Sequence, residues 1–259
     1  MNIIVFLKMV PDVVEELSIA DDGKSLNDEW LRMKLSESDE HALEEAIILK
    51  EKYGGTVTAV AAEAPELDDA LFNAIARGAD SAVKITGDWK SYGSPAISKL
   101  FSDYINNQQL LDAQTLILSG SQAIDDLEGE TVHFLSEYLN LPGNSVITGI
   151  TYAPDKNILS YIKEFSGGLR GDFETGLPAV LGVQAAENPP RYIPIAKIRS
   201  VMKTAKIEEI ELPADNLSKG IEVLSLYVPE VSGRAEMLEG TPAEISARIA
   251  DILSDKGII

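Results

Sequence analysis

The residues best placed to do chemistry form one run, Gly120-Ser121-Gln122-Ala123-Ile124-Asp125-Asp126-Leu127-Glu128-Gly129-Glu130-Thr131. It follows an apolar stretch and leads into a helical pattern. Backbone N–H groups at the start of a helix have no intrahelical partner and favour an anionic group such as phosphate. Gly120 and Gly129 carry no Cβ, so the backbone there can approach a ligand closely. Asp125 and Asp126 are adjacent carboxylates, but without a third oxygen ligand they make a poor metal site. An ordinary strand-to-helix connection with both aspartates solvated accounts for the same run. The residues alone leave binding loop and plain connection open.

Other chemistries are excluded more firmly. The chain has no G-x-x-x-x-G-K-[ST] phosphate loop, no G-x-G-x-x-G fingerprint and no G-x-S-x-G elbow. It has no cysteine, hence no disulfide, thiolate nucleophile, iron–sulfur cluster or Cys-ligated zinc. His41 and His133 fall in helical stretches with no placed partner, which reads as surface or partly packed positions rather than general bases. Twenty-two basic against 42 acidic side chains give a net charge of −20, which repels nucleic acid and anionic membrane. The apolar run at residues 3–7 ends at Lys8, too short for a signal segment or a membrane span, so the expectation is a soluble, cytoplasmic protein.

The elements that must position the loop alternate between strand and helix through the first two-thirds of the 259 residues. That rhythm predicts an α/β fold with an open, mostly parallel sheet and helices on both faces. Strands are expected over residues 2–10, 56–62, 81–85, 115–119 and 179–184, with an antiparallel pair at 146–152 and 159–165. Helices are expected from the capping-box spacing of Ser36 and Asp39 to Gly54-Gly55, then over 67–77 and 95–107, and through 132–139. Ligands bind such sheets at the carboxyl ends of the strands, which is where Gly120 falls.

The composition changes at Glu187-Asn188-Pro189-Pro190. We therefore divide the chain into an α/β domain (1–190), a loop and helix (191–206), and an extended C-terminal arm with a final helix (207–259). Thr241, Pro242 and Glu244 are a strong start for that helix. An arm too thin to bury itself wraps either a partner or its own body, and both remain open at this level. Residues 191–206 alternate aliphatic and basic side chains, as an amphipathic helix does.

The run GSQAIDD resembles the corresponding loop of the β subunit of electron transfer flavoproteins. The likeness extends in register through Lys8-Met9-Val10-Pro11-Asp12, Asp39-Glu40-His41-Ala42-Leu43-Glu44-Glu45-Ala46, Ala76-Arg77-Gly78-Ala79-Asp80, Gly167-Gly168-Leu169, Leu177-Pro178-Ala179-Val180 and Asn188-Pro189-Pro190-Arg191-Tyr192. The ending Gly233-Arg234-Ala235-Glu236-Met237-Leu238-Glu239-Gly240 is similar to the arm of the methylotroph type, which serves trimethylamine dehydrogenase.

This resemblance implies an adenine-nucleotide α-hydrolase-like sheet and a heterodimer with an α subunit that holds most of an FAD site. It implies an electron carrier without a catalytic side chain, fed by one or more dehydrogenases. It also implies a structural AMP in this subunit, or a second FAD in electron-bifurcating members. The implied nucleotide site takes the backbone near Phe6, then Ser36, Asp39 and Ala62, and the loop residues Gly120, Gln122, Ala123, Ile124, Asp125, Gly129, Glu130 and Thr131. The implied dehydrogenase contact is an exposed aliphatic residue, Ile195 by distance from Arg191-Tyr192 or Ile198 by a one-residue offset, flanked by Lys197 and Arg199.

The sequence departs from the family where Ser36-Glu37-Ser38 replaces Asn-Pro-Phe, after the second predicted strand (Ala61-Ala62-Glu63-Ala64-Pro65, one residue longer), and at Leu127, Gly129 and Glu130. A Glu130 facing the phosphate would oppose it. A free-standing adenine-nucleotide sensor is the competing reading.

Charge distribution adds to this. Residues 186–206 hold Arg191, Lys197, Arg199, Lys203 and Lys206 against Glu187 alone, a +4 island in a chain of −20.

Overall fold

The computed structural model describes residues 1–259 apart from 215, 216, 221, 230, 231, 232 and 234, so Arg234 of the closing motif lies outside the described residues. Two compact units are present, Met1–Ser225 and Leu226–Ile259.

The first unit is built on a nine-stranded sheet. Its strands are β1 (Asn2–Leu7), β4 (Thr56–Ala62), β5 (Ser81–Thr86), β6 (Thr115–Gly120), β7 (Gly143–Ala153), β8 (Ile158–Glu164), β9 (Arg170–Gly176), β10 (Ala179–Ala185) and β11 (Glu208–Glu211). Two short strands, β2 (Met9–Pro11) and β3 (Met33–Leu35), pair with each other outside it. The helices are α1 (Glu37–Tyr53), α2 (Leu67–Arg77), α3 (Ser94–Asn107), α4 (Thr131–Leu139) and α5 (Ile195–Thr204).

Sheet order is β11-β5-β4-β1-β6-β10-β7-β8-β9, parallel from β11 to β7 and antiparallel through the β7-β8-β9 meander. Side chains alternate across the sheet as the pleat requires. Ile3, Val5 and Leu7 pack with Leu43 and Ile47 of α1 and Leu71 of α2, while Ile4 and Phe6 pack with Leu100 of α3 and Leu135 of α4. The expected open α/β sheet with both faces covered is therefore what forms.

The chain builds outward from β1 to β4 and β5, then crosses back through α3 to place β6 on the other side of β1. The strand order thus reverses between β1 and β6, the point where open α/β sheets leave a crevice. The β1–β6 ladder stops at Val5 and Leu118, while β6 goes on pairing with β10 through Gly120.

Three expectations need correction. The first strand does not run through Val10, because the Lys8 N–H leaves the sheet to donate to Asp39 Oδ2 at 2.9 Å and Met9–Pro11 turns away to pair with Met33–Leu35. Ser36 and Asp39 form no capping box. Ser36 caps α1 without a side-chain bond, because Asp39 is engaged with the sheet. The strand expected at 179–184, read as closing the sheet, lies instead between β6 and β7 in its interior. Strands β3, β9 and β11 had no counterpart in the sequence reading.

In the second unit, α6 (Pro242–Asp255) begins with the expected capping box. The Glu244 N–H donates to Thr241 Oγ1, and Glu244 Oε2 accepts from the Thr241 N–H at 2.8 Å. None of its residues is buried. Among the described residues, no helix is long and apolar enough to cross a membrane.

Candidate functional site

At the crevice, Asp39 on the first turn of α1 ties the two diverging strand ends together. Its Oδ1 accepts from the Gly120 N–H at 2.6 Å and its Oδ2 from the Lys8 N–H. Burial pushes this carboxyl up to about 7, against the pull of the two N–H bonds and the Lys8 charge, with Asp125 adding to the upward push. Gly120 is required by this contact: a Cβ there would lie 2.2 Å from Ser38 Oγ and 2.7 Å from Asp39 Oδ1. Its small size serves the fit of β6 against α1, a closeness within the protein itself.

The loop from β6 to α4 is fastened at several points. Ser121 N–H donates to the Val183 carbonyl at 2.9 Å, and Ser38 Oγ donates to the Gln122 carbonyl at 2.5 Å. The Gln122 side chain reaches the Leu127 carbonyl, so it closes the loop on itself. Lys8 Nζ bonds Asp125 at 2.8 Å and Asp126 at 2.5 Å. Burial pulls the Lys8 ammonium down, yet Asp125 and Asp126 together hold it above its ordinary value. With Lys8 nearly half exposed, each pair is worth about 0.2–1 kcal/mol. Lys8 therefore matters more for neutralising two carboxylates beside the loop than for stability.

The N–H groups of Ala123, Ile124, Asp125, Gly129, Glu130 and Thr131 have no acceptor among the described residues. Those of Ala123, Ile124 and Asp125 lie in the turn that begins the loop and those of Gly129, Glu130 and Thr131 where it enters α4, with Gly129 in the left-handed region (φ +64°). Glu130 is exposed, so its charge is screened by water. Ser36 is buried, with its Oγ 3.3 Å from Ser38 Oγ. The Phe6 ring is stacked on Phe101 at 4.0 Å in the core, leaving only its backbone for a ligand, and Ala62 packs against the same cluster.

The structure therefore joins Asp39 to Gly120, and Ser36 through Ser38 to Gln122. It also brings in Lys8, which the residue reading had not placed in the site, by pairing it with Asp125 and Asp126 of the loop. The signal for Lys8 was available as a charge ending a buried apolar run at a strand's carboxyl end. A cavity of about 300 Å³ lies elsewhere, between β3, α1 and α2. Two of its charged pairs are Arg32 with Glu66 and Arg77 with Glu40.

The second region starts with a strap. Residues 186–191 lie along α1 without regular structure. The Ala186 N–H donates to His41 Nδ1 at 3.2 Å, the Glu187 N–H to Glu45 Oε2 at 2.9 Å and the Arg191 N–H to Glu44 Oε2 at 3.0 Å. Burial pushes the Glu45 carboxyl up, with the Glu187 bond pulling it back. The Arg191 guanidinium also binds Glu44 and Glu51. His41 is thus a structural acceptor, and His133 is exposed on α4.

Beyond the strap, α5 buries no residue. Ile195 is 62% exposed while Ile198 is half-buried, so Ile195 is the one presented to solvent. Lys197, Arg199 and Lys203 are exposed and make no ion pair among the described residues.

An open sheet whose strand order reverses beside a helix-opening loop places the chain among doubly wound α/β proteins. Residues 25–215 match the model of the electron transfer flavoprotein domain. The chain is 31% identical to the electron transfer flavoprotein subunit beta of Methylophilus methylotrophus, over 98% of each chain. It is 30% identical to that of Bacillus subtilis, over 98% of this chain and 97% of the relative, and 28% identical to that of Clostridium acetobutylicum over the full length of both. The chain belongs to the electron transfer flavoprotein family, in its β-subunit branch.

Proposed function

We propose that this chain is the β half of a heterodimer with an electron transfer flavoprotein α subunit, that it holds a structural AMP in the crevice between β1 and β6, and that α5 meets a dehydrogenase. The observation that carries the nucleotide assignment is the set of free backbone N–H groups from Ala123 to Thr131 at the strand-order reversal, beside Lys8.

The residues fit the group. The loop amides and the first turn of α4 supply donors for a phosphate, and a helix N-terminus adds about 0.3–1 kcal/mol for an anion. Lys8 offsets Asp125 and Asp126, so the phosphate does not meet two bare carboxylates. Phe6 and Ala62 contribute backbone and apolar wall.

FAD, bound mainly by the α subunit, supplies the redox chemistry. This chain's part is to present the complex to its donor. Ile195 offers an exposed aliphatic contact, and Lys197, Arg199 and Lys203 steer it toward an acidic surface.

The test is co-expression with an α subunit, followed by denaturation and quantification of the released nucleotides. One FAD and one AMP per heterodimer is the expected result. Two FAD molecules would replace the AMP assignment with a second flavin. A colourless chain that assembles with no α subunit would overturn the proposal.

A further inference from the structure

We infer that Arg191, held by Glu44 and Glu51 of α1, is a positioning residue that sets where the docking helix α5 presents Ile195. This rests on the proposed role of α5 and deepens it.

Three residues separate Arg191 from Ile195, and the Pro194 carbonyl already accepts the first helical bonds of α5. No residue of α5 is fully buried; the helix rests on α2 with only Ile198 and Val201 half-buried, so packing alone holds it thinly. The last point fixed to the body of the domain before α5 is Arg191. Arg191 N–H and Nε both donate to Glu44, whose side chain is 3% exposed, while Nη1 and Nη2 donate to the two oxygens of Glu51 at 2.6 and 3.1 Å.

A guanidinium used by two carboxylates, one of them in a parallel two-bond pairing, fixes orientation as well as distance. A lysine carries the charge but not the fork. The Glu44 carboxylate has a second use: its bond to the Arg191 N–H holds the main chain itself. Glu44 lies on the same helix as Asp39, with Glu51 two turns further on. One rigid element therefore anchors the loop at the crevice by its first turn and the approach to α5 by its later turns. The consequence is a docking residue referenced to the body of the domain, although α5 itself lies on the surface.

The experiment compares the heterodimer with its Arg191→Ala, Arg191→Lys and Glu51→Gln variants. Three quantities are read: the KM and kcat for flavin reduction by a dehydrogenase, deuterium uptake over residues 192–204, and released nucleotides. Arg191→Ala and Arg191→Lys are expected to raise uptake over 192–204 and to raise KM about ten-fold, with kcat and nucleotide content unchanged. Glu51→Gln should do the same more weakly.

Raised uptake with unchanged KM would overturn the positioning role, and so would unchanged uptake in Arg191→Ala. If that variant fails to assemble, Glu51→Gln decides by the same two readings, since Glu51 is more than half exposed and outside the core. Failure of the underlying reading looks different. No dehydrogenase would then reduce the unsubstituted heterodimer, while the uptake measurement would still report on the clamp.

Discussion

Asp39→Asn separates the electrostatic part of the crevice from its shape. In the folded chain this carboxyl titrates at about 7 against an ordinary 3.8. Below pH 3.8 it is protonated both folded and unfolded. As pH rises toward 7 the unfolded chain releases the proton while the folded chain keeps it, so the folded state binds more protons and stability falls with pH. The contribution is fully present below 3.8 and has been lost once pH passes about 7. At about 1.4 kcal/mol per pH unit, the whole interval amounts to about 4 kcal/mol, and the part between pH 5 and pH 8 to about 3 kcal/mol.

Asparagine keeps the shape and cannot ionise. Its amide nitrogen faces one of the two N–H donors, Lys8 or Gly120, which leaves that donor without an acceptor at about 1–3 kcal/mol, independent of pH. Equilibrium urea unfolding from pH 5 to pH 8 should therefore show the wild-type chain ahead at pH 5, with its lead shrinking by about 3 kcal/mol by pH 8. Parallel stability profiles would refute the reasoning, because they would mean that Asp39 is already ionised at pH 5 or that it is not the buried bridge described.

Gly120→Ala should lower the urea midpoint by the equivalent of about 1–3 kcal/mol, since its Cβ meets the backbone nitrogen of Asp39 at 2.7 Å, and should also weaken retention of the proposed AMP. Lys8→Gln leaves Asp125 and Asp126 without their cation, and AMP retained after dialysis should fall with an affinity loss of about ten-fold. Thr241→Ala removes the capping box of α6 at about 1 kcal/mol, seen as faster amide exchange over residues 242–246 with no change over residues 1–225.

What the sequence made readable was local. Helix α2 ends at Gly78, which takes a φ of +141°, and β4 matches its expected limits because an apolar run between Gly54-Gly55 and Pro65 carries its own boundaries. What stayed hidden depended on distant partners. Ser36 and Asp39 have the spacing of a cap, but Asp39's acceptor capacity is taken by Lys8 and Gly120, 31 and 81 residues away. Met33–Leu35 is three residues long and acquires its strand character only from Met9–Pro11. Arg170–Gly176 is mostly polar because it is an edge strand, with no buried face to impose a hydrophobic alternation. At the candidate site, the loop stands out in the sequence by its position after a buried strand, while the different exposure of Ile195 and Ile198 shows only once α5 is in place.

The place of β10 in the sheet bears on how the chain comes together. It is the only strand among the described residues that joins the β7-β8-β9 meander to the parallel half. During synthesis from the N-terminus, residues 143–176 are complete before residues 179–185 exist. The meander's own hairpins are local and can close at once, but its alignment with β6 waits for β10 to enter between them. A chain halted before residue 179 would hold two open sheet edges facing a missing strand, each a template for pairing with another chain. The order in which strands join this sheet is therefore not the order in which they are made.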